Sequence, residues 1–267
     1  MTAVHVCHGA MDDDQRGDLI YAGDLVIFTR VTGLDAFRER VDALVREGFG
    51  TSGPEFAQFE LGADEYAERM RAVQRTVRAD DESHRLLLAA LRNTGVGVET
   101  AYWDWVHLRV LPSGPAFAKN GTGWHRDTWA SNLAAQTNWW TPIYPITAER
   151  TITFAPAQWS EPVPNTSRGW APGGADIIPE PVGMPDVVEQ RVVVQPDDLL
   201  CFSGAQLHGT VPNDTGRARF SVEVRTVSRT DVDLGRGAPA VDDTAPRTQY
   251  RWFRHVEDGT PLAAPSA

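Results

Sequence analysis

From about residue 98 to residue 230 the chain runs as strand after strand with no helix between them, and this limits the fold more than any other feature. TAYWDWVHLRVL, QTNWWTPIYPI, TITFA, RVVVQ, DLLCF and RFSVEVRTVS are all rich in β-branched or aromatic residues. Segments such as SEPVPNTSRGWAPGGAD and VPNDTGRA punctuate them with proline, glycine and asparagine. Strands without interleaved helices indicate a sandwich or jelly roll, because a parallel α/β sheet needs a crossover helix between neighbours. The Pro/Gly-rich insert 156–185 exceeds what a tight turn needs, so a lid or a substrate-contacting loop is expected there.

The first third follows a different rhythm. DLVIFT (Asp24–Thr29) reads as a strand. Leu34, Phe37, Val41, Leu44 and Val45 then recur at helical spacing, with Gly48 as the expected stop. A second helix carries Tyr66, Met70, Val73 and Val77, and a third, SHRLLLAALRN, ends at Gly95. Amphipathic stripes of this kind serve a core. The expectation is a single domain over 1–267, mainly β with flanking helices. A helical part over about 20–97 would pack on a double-stranded β-helix (jelly-roll, cupin-like) core over about 98–230, with a disordered tail at 256–267.

Charge and targeting signals exclude several classes. Lys+Arg is 25 and Asp+Glu 36, a formal net charge of −11, which argues against binding nucleic acid through its phosphates. No apolar run is long enough to cross a bilayer. The N-terminus lacks a basic region followed by an apolar core, so the expected location is the cytoplasm. Cys7 and Cys201 lie far apart and suggest no disulfide framework, and Cys7-His8 reads as an uninvolved dipeptide.

GTGWHRDTWASN (Gly121–Asn132) contains His125-Arg126-Asp127 with Asn132 five places beyond the aspartate, which fits a protein-kinase catalytic loop. A kinase also needs a strand lysine, a glycine-rich phosphate loop and a later D-F-G. Lys119 is the sole lysine and sits too close to His125, and the other two motifs are missing. The kinase match is coincidental.

His125 and Asp127 also suit a metal. In extended chain, residues two apart project to one side, so both can reach one ion while Arg126 points away to a structural role. A third ligand can come from His208, at the end of DDLLCFSGAQLH. Eleven residues later Arg219 and Ser221 share a strand face, and a guanidinium beside a hydroxyl suits a carboxylate. Two histidines and one aspartate leave three positions of an iron site open.

His125-x-Asp127, His208-Gly-Thr-x-Pro-Asn213 and Arg219-x-Ser221 together resemble the iron(II)/2-oxoglutarate-dependent dioxygenases, closest to their phytanoyl-CoA dioxygenase-like group. The resemblance spans about residues 103–227. NWWTPIYPITAERTITFAPAQW is similar to that family's central strand pair, but has Ala-Gln-Trp where a Gly-Ser-His turn is frequent, which leaves the substrate class open. The resemblance implies that His125, Asp127 and His208 bind Fe(II). It implies 2-oxoglutarate as cosubstrate, its distal carboxylate held by Arg219 with Ser221 or Thr210, Asn138 as a further contact, and O2 in the last position. It implies hydroxylation of an unactivated C–H bond in a small molecule, of the kind found in specialised metabolism. Halogenating relatives carry a small residue in place of the aspartate, so Asp127 argues against halogenation.

Two other classes share the metal trio: a cupin-like protein that binds a metal or ligand without oxidising anything, and a metal-dependent isomerase or lyase. Neither needs the arginine. Among the remaining candidates, alternation puts Trp103, Trp105, His107 and Arg109 on one strand face, where His107 and Arg109 would meet cosubstrate or substrate, or form structural pairs. Trp124, Trp129, Trp139, Trp140 and Trp159 cluster after the motif, and Trp139 and Trp140 must face opposite ways. Trp124 and Trp129 flank the ligands as a candidate wall for a flat or apolar small molecule.

Overall fold

The computed structural model describes residues 2–114, 123–173, 178–184 and 186–265. The chain opens with strand β1 (Val4–Cys7), helix α1 (Asp13–Tyr21) and strand β2 (Leu25–Phe28), followed by α2 (Leu34–Phe49), the single turn α3 (Ala57–Glu60), α4 (Ala63–Ala79) and α5 (Asp81–Asn93). The apolar stripe of α2 is buried, as its spacing requires. Gly48 does not stop that helix. The stop is Gly50, left-handed at φ 67°, whose N–H donates to the carbonyls of Arg46 and Glu47. Gly48 instead admits α4: a Cβ there would lie 2.1 Å from Val73 Cγ2. Asp80 caps α5 by accepting from Ser83 N (2.9 Å) and also receives Arg40 of α2 through Nε (3.0 Å).

The β part comprises β3 (Ala101–Trp103), β4 (His107–Leu111), the turn α6 (Thr128–Ser131), β5 (Gln136–Pro142), β6 (Ile152–Phe154), β7 (Gln190–Val192), β8 (Leu199–Ser203), β9 (His208–Thr210) and β10 (Arg219–Ser228). Helix α7 (Arg229–Leu234) and strand β11 (Arg254–His255) complete it. One sheet runs β1-β2-β8-β5-β10-β3-β11, with β4 on β10 beside β3; the other runs β7-β6-β9. Apart from the parallel β1–β2 pair, every ladder is antiparallel. An isolated bridge, His125 to His208, extends the small sheet beyond β9. From β4 onward the chain therefore alternates between sheets: β4 large, His125 small, β5 large, β6 and β7 small, β8 large, β9 small, β10 large. This is the winding of a double-stranded β-helix, with the two sheets left unjoined rather than closed into a barrel.

Trp140, Leu200 and Phe202 of the large sheet pack on Ile152, Phe154 and Val192 of the small one. The opposite face of the large sheet sends Phe28, Trp139, Cys201, Val222 and Val224 into the helical layer. Trp139 and Trp140 thus point opposite ways. No helix among the described residues is long and apolar enough to cross a membrane.

Several expectations need correction. TAYWDWVHLRVL is two strands: β3 pairs with residues 226–228 of β10 and β4 with 219–223, leaving 104–106 out of the ladder. Its four alternating side chains therefore do not share one face. Trp103 packs toward the helices near His84, whereas Trp105 lies under the Arg78 guanidinium (4.2 Å) and beside His107 (5.9 Å). Cys7 ends a sheet edge that sequence reading missed, and His8, just beyond it, has Nδ1 2.7 Å from Thr29 Oγ1. The tail is anchored at Leu262, which inserts beside Phe253 and Val227 and whose N–H donates to Phe253 O (2.8 Å), while residues 263–265 are exposed; residues 266–267 lie outside the described residues. Within the insert 156–185, Val163 and Trp170 are buried. Residues 174–177 and 185 lie outside the described residues.

Candidate metal centre

His125 and His208 face each other across the isolated bridge, each backbone N–H donating to the other's carbonyl (2.9 and 3.0 Å). Opposed residues of an antiparallel pair send their side chains to one side, which brings the ring centroids to 4.3 Å. The expected extended run does not continue to Asp127. That residue is helical in conformation (φ −63°, ψ −29°) and starts α6, which ends at left-handed Asn132. The chain turns after His125, and the turn carries the carboxylate inward. Ligand-type atoms of His125, Asp127 and His208 all lie within 4.8 Å of one another, and all three residues are buried. An arrangement of this kind can hold a metal ion.

Hydrogen bonding decides which atoms face that ion. His125 Nδ1 lies 2.8 Å from Gly123 O and His208 Nδ1 2.9 Å from Gln206 O. A carbonyl only accepts, so each Nδ1 carries the proton and each Nε2 keeps a free lone pair. Burial, then the neighbouring His208, pushes His125 down to about 4, so its ring is neutral near pH 7. Burial alone would raise the Asp127 carboxyl, but Arg225, then His208 and His125, hold it at about 2. Both imidazoles are thus oriented as ligands, and the aspartate is ionised.

A cavity of about 120 Å³ opens beside the trio, lined by His125, His208, Gly209, Thr210, Trp140, Ile152, Arg219, Glu223, Arg109, Gln74, Val110 and Leu111. Phe220, Val222 and Val224 turn to the helices, so Arg219, Ser221, Glu223 and Arg225 turn the other way, toward the space between the sheets. Arg219 donates through Nη1 to Thr151 O (3.1 Å) and sits over Trp140, while its Nε has no partner. Ser221 Oγ is also buried and unpaired. Burial, then Arg109, lowers Arg219 to about 10, which leaves it charged. Buried polar atoms without partners are rare and call for a ligand or water. An orphaned guanidinium N–H and an orphaned hydroxyl on one strand face suit a carboxylate.

Of the other sequence candidates, Thr210 lines the cavity. Asn138 instead donates through Nδ2 to Asp127 Oδ2 and is itself held by Gln136 Nε2 (2.9 Å). Trp140 is the single tryptophan of the cavity lining among the described residues, whereas Trp124 and Trp129 pack in a separate cluster with Val163 and Leu207. Trp159 covers Gly23. Arg126 is buried with Asp242 as an ion pair (Nε–Oδ2 2.8 Å), and also donates to the carbonyl of Ala205 (2.8 Å). Asp242 further accepts from Trp129 Nε1 and Val163 N, both at 2.7 Å.

Sequence reading missed Glu223, Arg225 and Asp104. Glu223 enters the cavity opposite Arg109 (3.3 Å); burial alone would raise its carboxyl, but Arg109, then Arg225 and His107, hold it at about 2. The signal was present in RFSVEVR, where the alternation that pairs Arg219 with Ser221 extends to Glu223 and Arg225.

No protein-family model matches the chain, and no curated sequence matches it. Solved structures with a similar fold include the non-heme monooxygenase ThoJ in its nickel complex, at 16% identity over 80% of this chain and 77% of that one, with a TM-score of 0.42. EvdO2 from Micromonospora carbonacea var. aurantiaca, complexed with 2-oxoglutarate, aligns at 14% identity over 83% and 93%, with a TM-score of 0.47. The epimerase SnoN, in complex with Fe3+, alpha ketoglutarate and nogalamycin RO, aligns at 14% identity over 94% and 97%, with a TM-score of 0.48.

Proposed function

We propose that the protein is a non-haem iron oxygenase that couples oxidative decarboxylation of 2-oxoglutarate to hydroxylation of a C–H bond in a small molecule. What supports this reading is the pair of orphaned polar atoms, Arg219 Nε and Ser221 Oγ, buried on the strand face from which Arg219 enters the cavity that His125 and His208 line. A protein that merely stored a metal, or an isomerase needing only the ion, has no use for a buried cation of this kind, whose desolvation is costly until an anion arrives.

His125 Nε2, His208 Nε2 and the Asp127 carboxylate would hold Fe(II). With an oxo acid and O2, that ion supplies the oxidising power needed to break an unactivated C–H bond. The chain's own groups place the reactants. Arg219 grips the distal carboxylate of 2-oxoglutarate with Ser221, and Thr210 borders the same cavity. The lowered basicity of His125 keeps a proton from competing for its Nε2 at neutral pH. Walls formed by Ile152, Trp140 and Val110 limit water around the reacting centre. In the cavity lining, half-buried Arg109 and its partner Glu223 offer a donor and an acceptor to a polar substrate.

Anaerobic addition of Fe(II) and 2-oxoglutarate to metal-free protein should give a weak visible charge-transfer band, and succinate should form once O2 and a substrate are admitted. The band should vanish in His208→Ala. In Arg219→Leu the 2-oxoglutarate affinity should fall roughly 10- to 100-fold, the scale of losing charge-assisted hydrogen bonds, with metal affinity kept. A band that survives in His208→Ala, or unchanged 2-oxoglutarate affinity in Arg219→Leu, would refute the assignment.

A further inference from the structure

Asp127 is the one ligand of the trio held by side chains rather than by main-chain carbonyls. Arg225 donates through Nη1 to Asp127 Oδ1 (3.2 Å). The same guanidinium donates through Nε to Asp104 Oδ2 (2.6 Å), and its Nη2 lies 3.0 Å from His107 Nε2. Asp127 Oδ2 receives Asn138 and lies 3.7 Å from His208 Nε2. The strand break at 104–106 lies opposite Arg225: Asp104 Oδ1 accepts from Arg225 N (2.9 Å), and Asp104 N donates to Arg225 O (3.0 Å). The ladder is thus interrupted where a carboxylate is needed behind the arginine.

We propose that Arg225 is a positioning residue for the metal, holding Asp127 so that it presents one oxygen to the ion and not two. The inference rests on the metal reading of the trio. Its physical core is geometric: Arg225 is anchored by Asp104, whose side chain is fully buried and offsets part of the guanidinium's charge. The ion pair that remains with Asp127 is directed through Nη1 to a single oxygen, Oδ1. With Oδ1 engaged by Arg225, Oδ2 is the atom on the imidazole side. A carboxylate ligated through both oxygens would occupy one of the three positions that a chelating cosubstrate and O2 require. His107, the first residue of β4, accepts from a third side of the guanidinium and so restrains the fork.

A merely structural ion cluster would stabilise the fold without touching metal affinity, and this separates the two roles. The test is Co(II) titration of the metal-free full chain alongside its urea unfolding curve. The double variant D104N/R225M removes one charge of each sign, so it deletes the orienting bond with little change in local charge. Its Co(II) affinity should fall about 10- to 100-fold, the usual scale for losing a partner that orients a ligand. R225K keeps the charge but cannot fork between Asp104, Asp127 and His107; it should show an intermediate loss, and it carries the test if the double variant does not fold. The control E55Q/R150M breaks another ion pair of this domain (2.9 Å) and should lower stability with Co(II) affinity unchanged. Wild-type affinity in either folded Arg225 variant, or an equal loss in the control, overturns the proposal. A wild-type chain that takes up no Co(II) would instead remove the metal reading together with this inference.

Discussion

A buried imidazole whose desolvation outweighs the pull of a neighbouring carboxylate makes stability depend on pH in a definite direction. His125 titrates near 4 in the folded protein because burial disfavours its cation, against a reference of about 6.5 for an exposed imidazole. Between these values the unfolded chain binds a proton that the folded chain refuses, so stability rises with pH across the window and is complete above it. The span corresponds to roughly 3 kcal/mol for the metal-free protein. Urea unfolding at pH 5 and pH 7.5 should show the acid loss, and His125→Gln should flatten the dependence. A wild-type curve already flat over that range would mean that the ring is not held neutral. The trio was legible in sequence as a motif, although a turn and not the expected extended run brings Asp127 in, and the face that Arg219 shares with Ser221 was legible from strand alternation. Asp104 and Arg225 were not, since they lie 121 positions apart and meet only through a break in a ladder. Asn138 was legible as a polar residue in a strand, but its partner Asp127 depended on a turn that replaced the extended chain expected there.

At the scale of elements, the helices were readable from periodicity, and the errors came from glycine and from short strands. Gly48 and Gly50 both look like stops; only the left-handed conformation at Gly50 decides between them. Gly48 serves the contact between α2 and α4, so Gly48→Ala should cost about 1–3 kcal/mol by overpacking against Val73. The double variant with Val73→Ala should cost less than the sum of the two single changes, because the new methyl enters the space the valine vacates. Additive losses in urea unfolding would show that the helices separate instead of clashing. The strand that carries His125 shrinks to a single bridged residue, too short for any run of β-branched residues to announce it. β1 was missed for a related reason: it is a four-residue edge with alternate residues exposed.

Across the whole molecule, the uninterrupted series of strands was enough to anticipate two sheets wound alternately with helices on one face. The closing segment was harder to see, because its docking depends on a few residues within a Pro/Ala-rich stretch. Asp242 ties that segment to Arg126, between two of the candidate ligands, and to Val163 in the long insert. Asp242→Ala leaves a buried guanidinium without its counter-ion and should cost about 3–5 kcal/mol. Limited proteolysis should then cut the segment after α7 more rapidly than in the wild type, and an unchanged cleavage pattern would show that Leu262 and its neighbours hold it unaided. One further property follows from the order of synthesis. β10 lies between β5 on one side and β3 and β4 on the other, yet it is made after all three. A ribosome that halts before Arg219 therefore releases a chain with two bare edges in the middle of its main sheet, a product suited to clumping rather than to a smaller folded domain.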